Sequence, residues 1–265
     1  MPRVSSTQNP RLQQAMRLVA SSRDRRKAGR CVLEGEHLVS VYLARVGPPE
    51  LLIVVAEKMD DPALQAIAAQ VPPADVLIVP ALIFAQLGVL PAAIGVLAVV
   101  ATPRGEVPAS RRFHVLLEDV QDPGNVGTIL RTAAAAGVEQ VLLSKHCAFA
   151  WAPKVLRAAQ GAHFLTTIVE NVELASWARW FSARGGQVAA TVASGGQNLY
   201  TSILRAPLAI AIGNEGSGLT QSLLDAVDAQ LTIPMPGGME SLNASAAAAI
   251  TVFEAVRQGV ATSST

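Results

Sequence analysis

Short apolar runs alternate with amphipathic stretches along most of the chain, and this alternation predicts an α/β protein. A first helix is predicted to begin after Asn9, a capping residue followed by Pro10. A basic loop at residues 21–30 is predicted to follow it. Up to residue 100, further helices are predicted at 36–45, 62–69 and 81–87, and strands at 31–33, 51–55, 76–79 and 94–100.

The alternation resumes at residue 113. Strands are predicted at 113–117, 138–143, 187–193, 208–212 and 230–233, and helices at 126–136, 153–159, 173–183, 220–226 and 244–257. Nearly continuous apolar strands separated by helices indicate a mostly parallel sheet with both faces covered. Ligands of such sheets usually bind beyond the carboxyl ends of the strands.

The two alternating regions are separated by TPRGEVPASRR, residues 102–112, which has two prolines, a glycine and no apolar periodicity. This composition is typical of a linker. A chain of 265 residues can also form two hydrophobic cores. We therefore predict a domain at 1–104, a linker at 105–112 and a second domain at 113–265.

The composition indicates a globular protein, because 51% of the residues are apolar and only 15% are charged. The longest apolar stretch, residues 87–101, is interrupted by Pro91 and Gly95 and is shorter than the roughly 20 residues of a membrane span. We expect a cytoplasmic protein. Cys31 and Cys147 lie far apart and are predicted to be buried thiols, and the sequence contains no cluster of metal-ligand residues.

Charge is distributed unevenly. Residues 1–30 carry eight basic side chains and one acidic one, a net charge of +7, whereas the remaining chain carries −6. Clustered cations can neutralise phosphates, so this segment is a candidate RNA contact, although a solvated helix face would show the same composition. The candidate residues are Arg23, Arg25, Arg26, Lys27 and Arg30.

Three glycine-containing loops, residues 118–127, 213–218 and 234–243, follow predicted strands and precede helices. Glycine permits close approach of the backbone to a ligand. The second loop reads GNEGSG, with glycines in a GxxGxG pattern. A dinucleotide site has GxGxxG and an acidic residue on the next strand, and both are missing here, which argues against a nicotinamide enzyme.

The three loops resemble the three motifs of the SpoU/TrmH family of SPOUT methyltransferases, in the family's order. The motifs read DPGNVGTILRTAAAAG (122–137), IAIGNEGSGL (210–219) and IPMPGGMESLNASAAAAI (233–250). The segments NPRLQQAMRL and CVLEGEHLV also resemble the family's L30e-like substrate-binding domain. The resemblance implies that the second domain forms a deep trefoil knot and methylates a ribose 2′-hydroxyl in structured RNA, using S-adenosylmethionine and no metal.

The resemblance also implies the site residues. Arg131 matches the position that activates the ribose hydroxyl; arginine is almost always protonated, so a phosphate clamp and a base both remain open. Asn125 and Glu215 would orient Arg131 or the RNA, although a helix cap and a solvated acid are the plain alternatives. Ser241 and Asn243 would lie beside the donor and the ribose, or would cap the last helix. Backbone atoms of Gly213, Ile233 and Leu242 would hold the donor's adenosine portion.

The resemblance implies a homodimer formed through the knot region, with the alanine-rich last helix as a possible face. Ribosomal RNA, and 23S rRNA in particular, is favoured as the substrate because of the L30e-like domain. A tRNA 2′-O-methyltransferase and a non-catalytic RNA-binding protein remain open, whereas a small-molecule methyltransferase would leave the basic segment unexplained. The triplet Gly237-Gly238-Met239 departs from the family's Gly-Ser-Val-like stretch.

Overall fold

The computed structural model describes residues 1–87, 95–103, 105 and 112–260. Two compact units are present. The first comprises Met1–Pro103 and Trp151–Phe164, and the second comprises Arg104–Ala150 and Leu165–Thr265. Residues 151–164 therefore pack with the unit that contains the N-terminus, and most of the predicted linker lies outside the described residues.

The described helices are α1 (Pro10–Ala20), α2 (Ser22–Ala28), α3 (Glu36–Arg45), α4 (Pro62–Ala69), α5 (Ala81–Phe84), α6 (Pro123–Ala135), α7 (Pro153–Ala159), α8 (Leu174–Ser182), α9 (Gln221–Leu224) and α10 (Ala244–Arg257). The strands are β1 (Arg30–Glu34), β2 (Leu51–Val55), β3 (Val76–Val79), β4 (Val96–Ala101), β5 (Phe113–Leu117), β6 (Gln140–Leu143), β7 (Thr167–Val169), β8 (Gln187–Thr191), β9 (Gln197–Asn198), β10 (Leu208–Ile212) and β11 (Ala229–Thr232).

The first unit contains a four-stranded sheet in the order β1-β4-β2-β3. Strand β4 runs antiparallel to both β1 and β2, whereas β2 and β3 are parallel. Its core joins fully buried residues of α1 to the strands, among them Leu12, Ile53 and Leu97. The segment that contains α7 packs against β1.

The second unit contains a seven-stranded sheet in the order β7-β6-β5-β10-β8-β11-β9, and all of its described pairings are parallel. The central strands β5 and β10 are buried along their whole length. This confirms the predicted α/β class and the mostly parallel sheet. The trefoil knot and the L30e-like fold stay predictions.

The basic segment is a helix, so the prediction of a loop at residues 21–30 was wrong. The Ser21 side chain accepts a hydrogen bond from the Asp24 amide and caps α2, and Gly29, with φ of 60°, ends it. A serine followed three residues later by an acid, with glycine after the last turn, is a helix signal that the sequence already contained.

Short elements account for most other differences. Strands β7 and β9, of three and two residues, were missed because they are too short to show a periodic pattern. Helix α5 ends at Phe84, before the predicted end at 87, and α6 begins earlier, at Pro123. Residue 94, the predicted start of the fourth strand, lies outside the described residues.

Within the described ranges, every helix is too short or too polar to cross a membrane. In the same part of the chain, nowhere do three His, Cys, Asp or Glu side chains gather closely enough to hold a metal ion. Cys31 is buried and Cys147 is partly buried, and both are free thiols.

Candidate active site

Side chains from all three glycine-containing loops meet in one hydrogen-bonded chain in the second unit. Asn125 Nδ2 donates to Glu215 Oε1 at 2.5 Å, and Asn243 Nδ2 donates to Asn125 Oδ1 at 2.9 Å. The first pair is 90 residues apart in sequence and the second pair is 118 residues apart. Asn125 therefore links the other two loops.

The start of α6 explains why Asn125 is available for these contacts. Asp122 is the cap of this helix, and its Oδ1 accepts the Asn125 amide at 2.8 Å. Pro123 occupies the first turn, where a missing amide hydrogen is tolerated. The alternative that Asn125 is the helix cap was wrong, and its side-chain amide faces the other loops.

Asn243 caps the last helix, one of the two roles considered for it, and also contacts Asn125. Its Oδ1 caps α10 by accepting from the amides of Ser245, at 2.8 Å, and Ala246, at 3.4 Å. Its Nδ2 remains free to donate to Asn125. Ser241 is not the cap. It is exposed and lines the cavity described next.

A cavity of about 420 Å³ adjoins this hydrogen-bonded chain. Its lining includes the three residues predicted to hold the donor, Gly213, Ile233 and Leu242, together with Glu215 and Ser241. Its volume falls within the range of roughly 300–1,000 Å³ that is usual for small-molecule sites. The predicted donor residues therefore share one pocket with part of the predicted catalytic set.

Loop 213–218 folds back on itself at the edge of this cavity. Asn214 and Gly218 exchange two backbone hydrogen bonds of 3.0 Å. A Cβ atom on Gly213 would lie 2.5 Å from the Gly218 carbonyl carbon and 2.7 Å from the Leu219 nitrogen. Only glycine fits at this position without displacing the backbone.

Arg131 is not brought into the same cluster. It lies six residues after Asn125 on α6, and six residues rotate the helix by about 600°, so the two side chains point roughly 120° apart. Arg131 is exposed, and among the described residues it has no hydrogen-bond or ion-pair partner. In a single chain, Arg131 therefore points outward, away from the Asn125–Glu215 contact.

The five basic candidates of the first unit have different surroundings. Arg25 is only 5% exposed, and its Nη1 donates to the carbonyl oxygens of Leu18, at 2.5 Å, and Val19, at 3.0 Å, at the end of α1. Arg30 pairs with Glu50 at 2.5 Å. The other three, Arg23, Arg26 and Lys27, are exposed on α2. Of the five candidates, these three are the exposed ones, and exposure is what a phosphate contact needs.

The sequence reasoning missed the residues that hold the second loop. Asn214 Oδ1 accepts the amides of Gly216, at 2.8 Å, and Ser217, at 3.0 Å. Asparagine two residues before a glycine is a turn signal that could have identified this role. The contacts between separate loops have no comparable local signal.

Comparisons with known proteins point to one family of methyltransferases. The model of the SpoU rRNA Methylase family matches residues 112–253. An uncharacterized tRNA/rRNA methyltransferase of Synechocystis is 32% identical over 96% of this chain and 93% of its own length. The 23S rRNA (guanosine(2553)-2′-O)-methyltransferase RlmP of Bacillus subtilis is 31% identical over 96% of this chain and 98% of its own.

Solved structures extend the similarity to nearly the whole chain. The SpoU methyltransferase AviRb of Streptomyces viridochromogenes, in complex with its cofactor AdoMet, has a TM-score of 0.84 at 26% identity, covering 96% of this chain and 99% of that one. An AdoMet-bound rRNA methyltransferase of Sinorhizobium meliloti has a TM-score of 0.82 at 28% identity, covering 96% and 97%. Its three motifs are joined by hydrogen bonds beside one cavity, and with its match to the family model this chain belongs to the SpoU rRNA methylase family.

Proposed function

We propose that this protein transfers a methyl group from S-adenosylmethionine to a ribose 2′-hydroxyl of ribosomal RNA, with 23S rRNA as the favoured substrate. The observation that carries the proposal is the position of Glu215, which lines the cavity and also accepts a hydrogen bond from Asn125. Family membership and the rRNA specificity named for the Bacillus subtilis relative support it.

The cavity suits the methyl donor in charge as well as in size. Two carboxylates, Glu215 and Glu240, line it, and its described lining contains no lysine or arginine. Opposite charges attract more strongly in a partly enclosed site than in bulk water. When bound, the donor supplies a methyl group carried on a positively charged sulfur. The backbone of Gly213, Ile233 and Leu242 would hold its adenosine portion.

The side chains of this protein would mainly position the acceptor. Methyl transfer requires the ribose oxygen in line with the methyl group, and correct alignment lowers the barrier. Asn125, Ser241 and Asn243 offer hydrogen-bonding groups beside the cavity for the ribose and its phosphates. Arg131 would bind a phosphate and polarise the 2′-hydroxyl as its proton leaves. Its direction on α6 suits a site completed by a second subunit.

A homodimer would use the exposed apolar face beside α10. Phe253, on this helix, is 47% exposed, and Tyr200 and Ile203 nearby are 52% and 73% exposed. Gln258, at the end of α10, is hydrogen-bonded to Leu204 at 2.9 Å and to Ser202 at 3.1 Å. These bonds join the helix to the segment that contains Tyr200 and Ile203. Large exposed apolar patches usually mark interaction sites.

The substitution Phe253→Glu is expected to convert the dimer to a monomer, because it would place a charge in the apolar face. Sedimentation velocity at micromolar concentration would measure the change. Leu82→Glu is the matched control, since Leu82 is 77% exposed on the first unit. A wild-type chain that sediments as a monomer would contradict the dimer proposal.

The exposed cations of α2 are proposed to bind RNA phosphates. The double substitution of Arg26 and Lys27 to alanine should weaken RNA binding and lower the salt dependence of log Kd by about one unit per lost phosphate contact. Arg25→Met should instead lower the free energy of unfolding by about 2 kcal/mol, because two helix carbonyls lose a charged donor. Titrations at several salt concentrations and chemical denaturation would separate the two effects. Equal salt slopes for wild type and the double variant would contradict the proposal.

Transfer of labelled methyl from S-adenosylmethionine to separate pools of unmodified rRNA and tRNA tests the function directly. We expect label on rRNA, at a ribose 2′-oxygen. Label on tRNA alone would retain the enzyme class and replace the substrate. Donor binding without transfer to either pool would favour a non-catalytic RNA-binding protein. A cytoplasmic location is proposed with the ribosomal RNA substrate.

A further inference from the structure

Glu118 follows β5 and is only 8% exposed although it is acidic. Its carboxylate accepts two hydrogen bonds from one residue: the Thr220 amide donates to Oε2 at 2.7 Å, and the Thr220 hydroxyl donates to Oε1 at 2.9 Å. Thr220 lies immediately beyond loop 213–218 and caps α9. Glu118 thus attaches the carboxyl-terminal end of that loop to the central strand.

Asp119 provides a second attachment, at the other end of the loop. Its carbonyl oxygen accepts Asn214 Nδ2 at 2.8 Å. Its own side chain is held by Ser144, whose hydroxyl donates to Asp119 Oδ1 at 2.5 Å and accepts the Asp119 amide at 2.9 Å. Asp119 has φ of 55°, a conformation that is unfavourable for a residue with a side chain and persists only where its surroundings hold it.

These two attachments bracket Glu215. Asn214, held by Asp119, organises the following turn through the amides of Gly216 and Ser217. Glu215 lies within this turn, between Asn214 and the Thr220 attachment, and from there it reaches Asn125. Glu118 and Asp119, which directly follow β5, therefore hold both ends of the loop that lines the cavity.

Packing alone does not account for an acid at position 118. A nearly buried carboxylate loses most of its hydration, and among the described ion pairs none involves Glu118. An apolar residue there would avoid this cost. The specific gain from glutamate is the pair of directed bonds to Thr220. Neither Glu118 nor Asp119 belongs to the described lining of the cavity.

We infer that Glu118 and Asp119 are positioning residues for methyl transfer, which hold loop 213–218 in the conformation that binds the methyl donor and directs Glu215 toward Asn125. The inference rests on the proposed function, because it assigns the cavity to S-adenosylmethionine.

The test compares wild type with Glu118→Ala, Thr220→Val, Thr220→Ser and the Glu118→Ala/Thr220→Val double variant. Calorimetry gives the Kd for S-adenosylmethionine, and steady-state transfer to rRNA gives kcat and KM. Glu118→Ala should weaken donor binding about tenfold, the effect of losing hydrogen bonds to a charged group. Thr220→Val should act in the same direction, and Thr220→Ser, which keeps the hydroxyl, should restore the wild-type Kd. The double variant should bind the donor about as weakly as Glu118→Ala alone, because Glu118→Ala already removes the hydroxyl bond that Thr220→Val removes, together with the amide bond that Thr220→Val leaves in place.

A structural role without positioning predicts a lower Tm but an unchanged donor Kd in the folded protein, and that result would overturn the inference. Independent, additive effects of Glu118→Ala and Thr220→Val would overturn it as well. If Glu118→Ala does not fold, the donor Kd values of Thr220→Val and Thr220→Ser test the inference, because Thr220 is exposed. If the wild type methylates rRNA and the variants have the wild-type donor Kd, this inference alone is refuted. If the wild type does not bind the donor, the proposed function and the inference are refuted together.

Discussion

Arg131→Ala should reduce methyl transfer to RNA by about a hundredfold or more, the usual cost of removing a group that stabilises charge in the transition state. Donor binding should stay at the wild-type level, because Arg131 is outside the described lining of the cavity. The fold should also be unaffected, since Arg131 is exposed and has no described polar partner. Single-turnover transfer and calorimetry would measure the two effects separately.

Arg179→Ala is the matched control, because Arg179 is also an exposed helix arginine of the second unit. Arg131→Lys tests the phosphate clamp. Lysine keeps the charge but loses the fork that binds a phosphate with two hydrogen bonds, so a clamp should retain partial activity. Transfer by Arg131→Ala at the wild-type rate would remove Arg131 from the mechanism.

Mixed subunits test whether the site is shared. Arg131→Ala and Asn243→Ala subunits are each expected to be inactive alone. If Arg131 acts in the partner's site, a mixed dimer contains one site with both residues intact, and about half of the dimers formed by random exchange should be mixed. Activity that does not recover on mixing would indicate that each chain uses its own Arg131.

Gly213→Ala is expected to have the second large effect, the loss of donor binding. The new methyl group would lie 2.5 Å from the Gly218 carbonyl carbon, so the backbone of the loop must move. Overpacking of this kind costs about 3 kcal/mol. That free energy corresponds to roughly a hundredfold increase in Kd for S-adenosylmethionine, measured by calorimetry.

Gly216→Ala is the comparison within the same loop. Its Cβ would lie 3.5 Å from Asn214 Oδ1, an ordinary van der Waals contact, so its effect on Kd should be much smaller. Circular dichroism and thermal unfolding would show that both variants keep the fold. Equal donor affinities for Gly213→Ala and wild type would mean that the donor does not depend on the shape of this loop.

Much of the fold could be predicted because its signals are local. Apolar runs and helix caps identified β2, β3, β5 and β10 with their observed bounds, as well as α3, α4 and α10. The failures also have local causes. The charges of α2 concealed a capped helix, and β7 and β9 are too short to show a period, so their assignment depends on the strands beside them.

Local sequence patterns predicted the α/β class and the three glycine-containing loops, and the resemblance to the SpoU/TrmH family implied which residues form the candidate site. The class and the loops depend on neighbours within a few positions of the chain, where periodicity, capping and glycine spacing act. Three features depend on how the chain folds in three dimensions: Asn125 joins Glu215 to Asn243, Arg131 points away from them, and Arg25 is buried against the end of α1. Such contacts form when the strands take their order in a sheet, and residues 90 or more positions apart carry no local signal of their meeting.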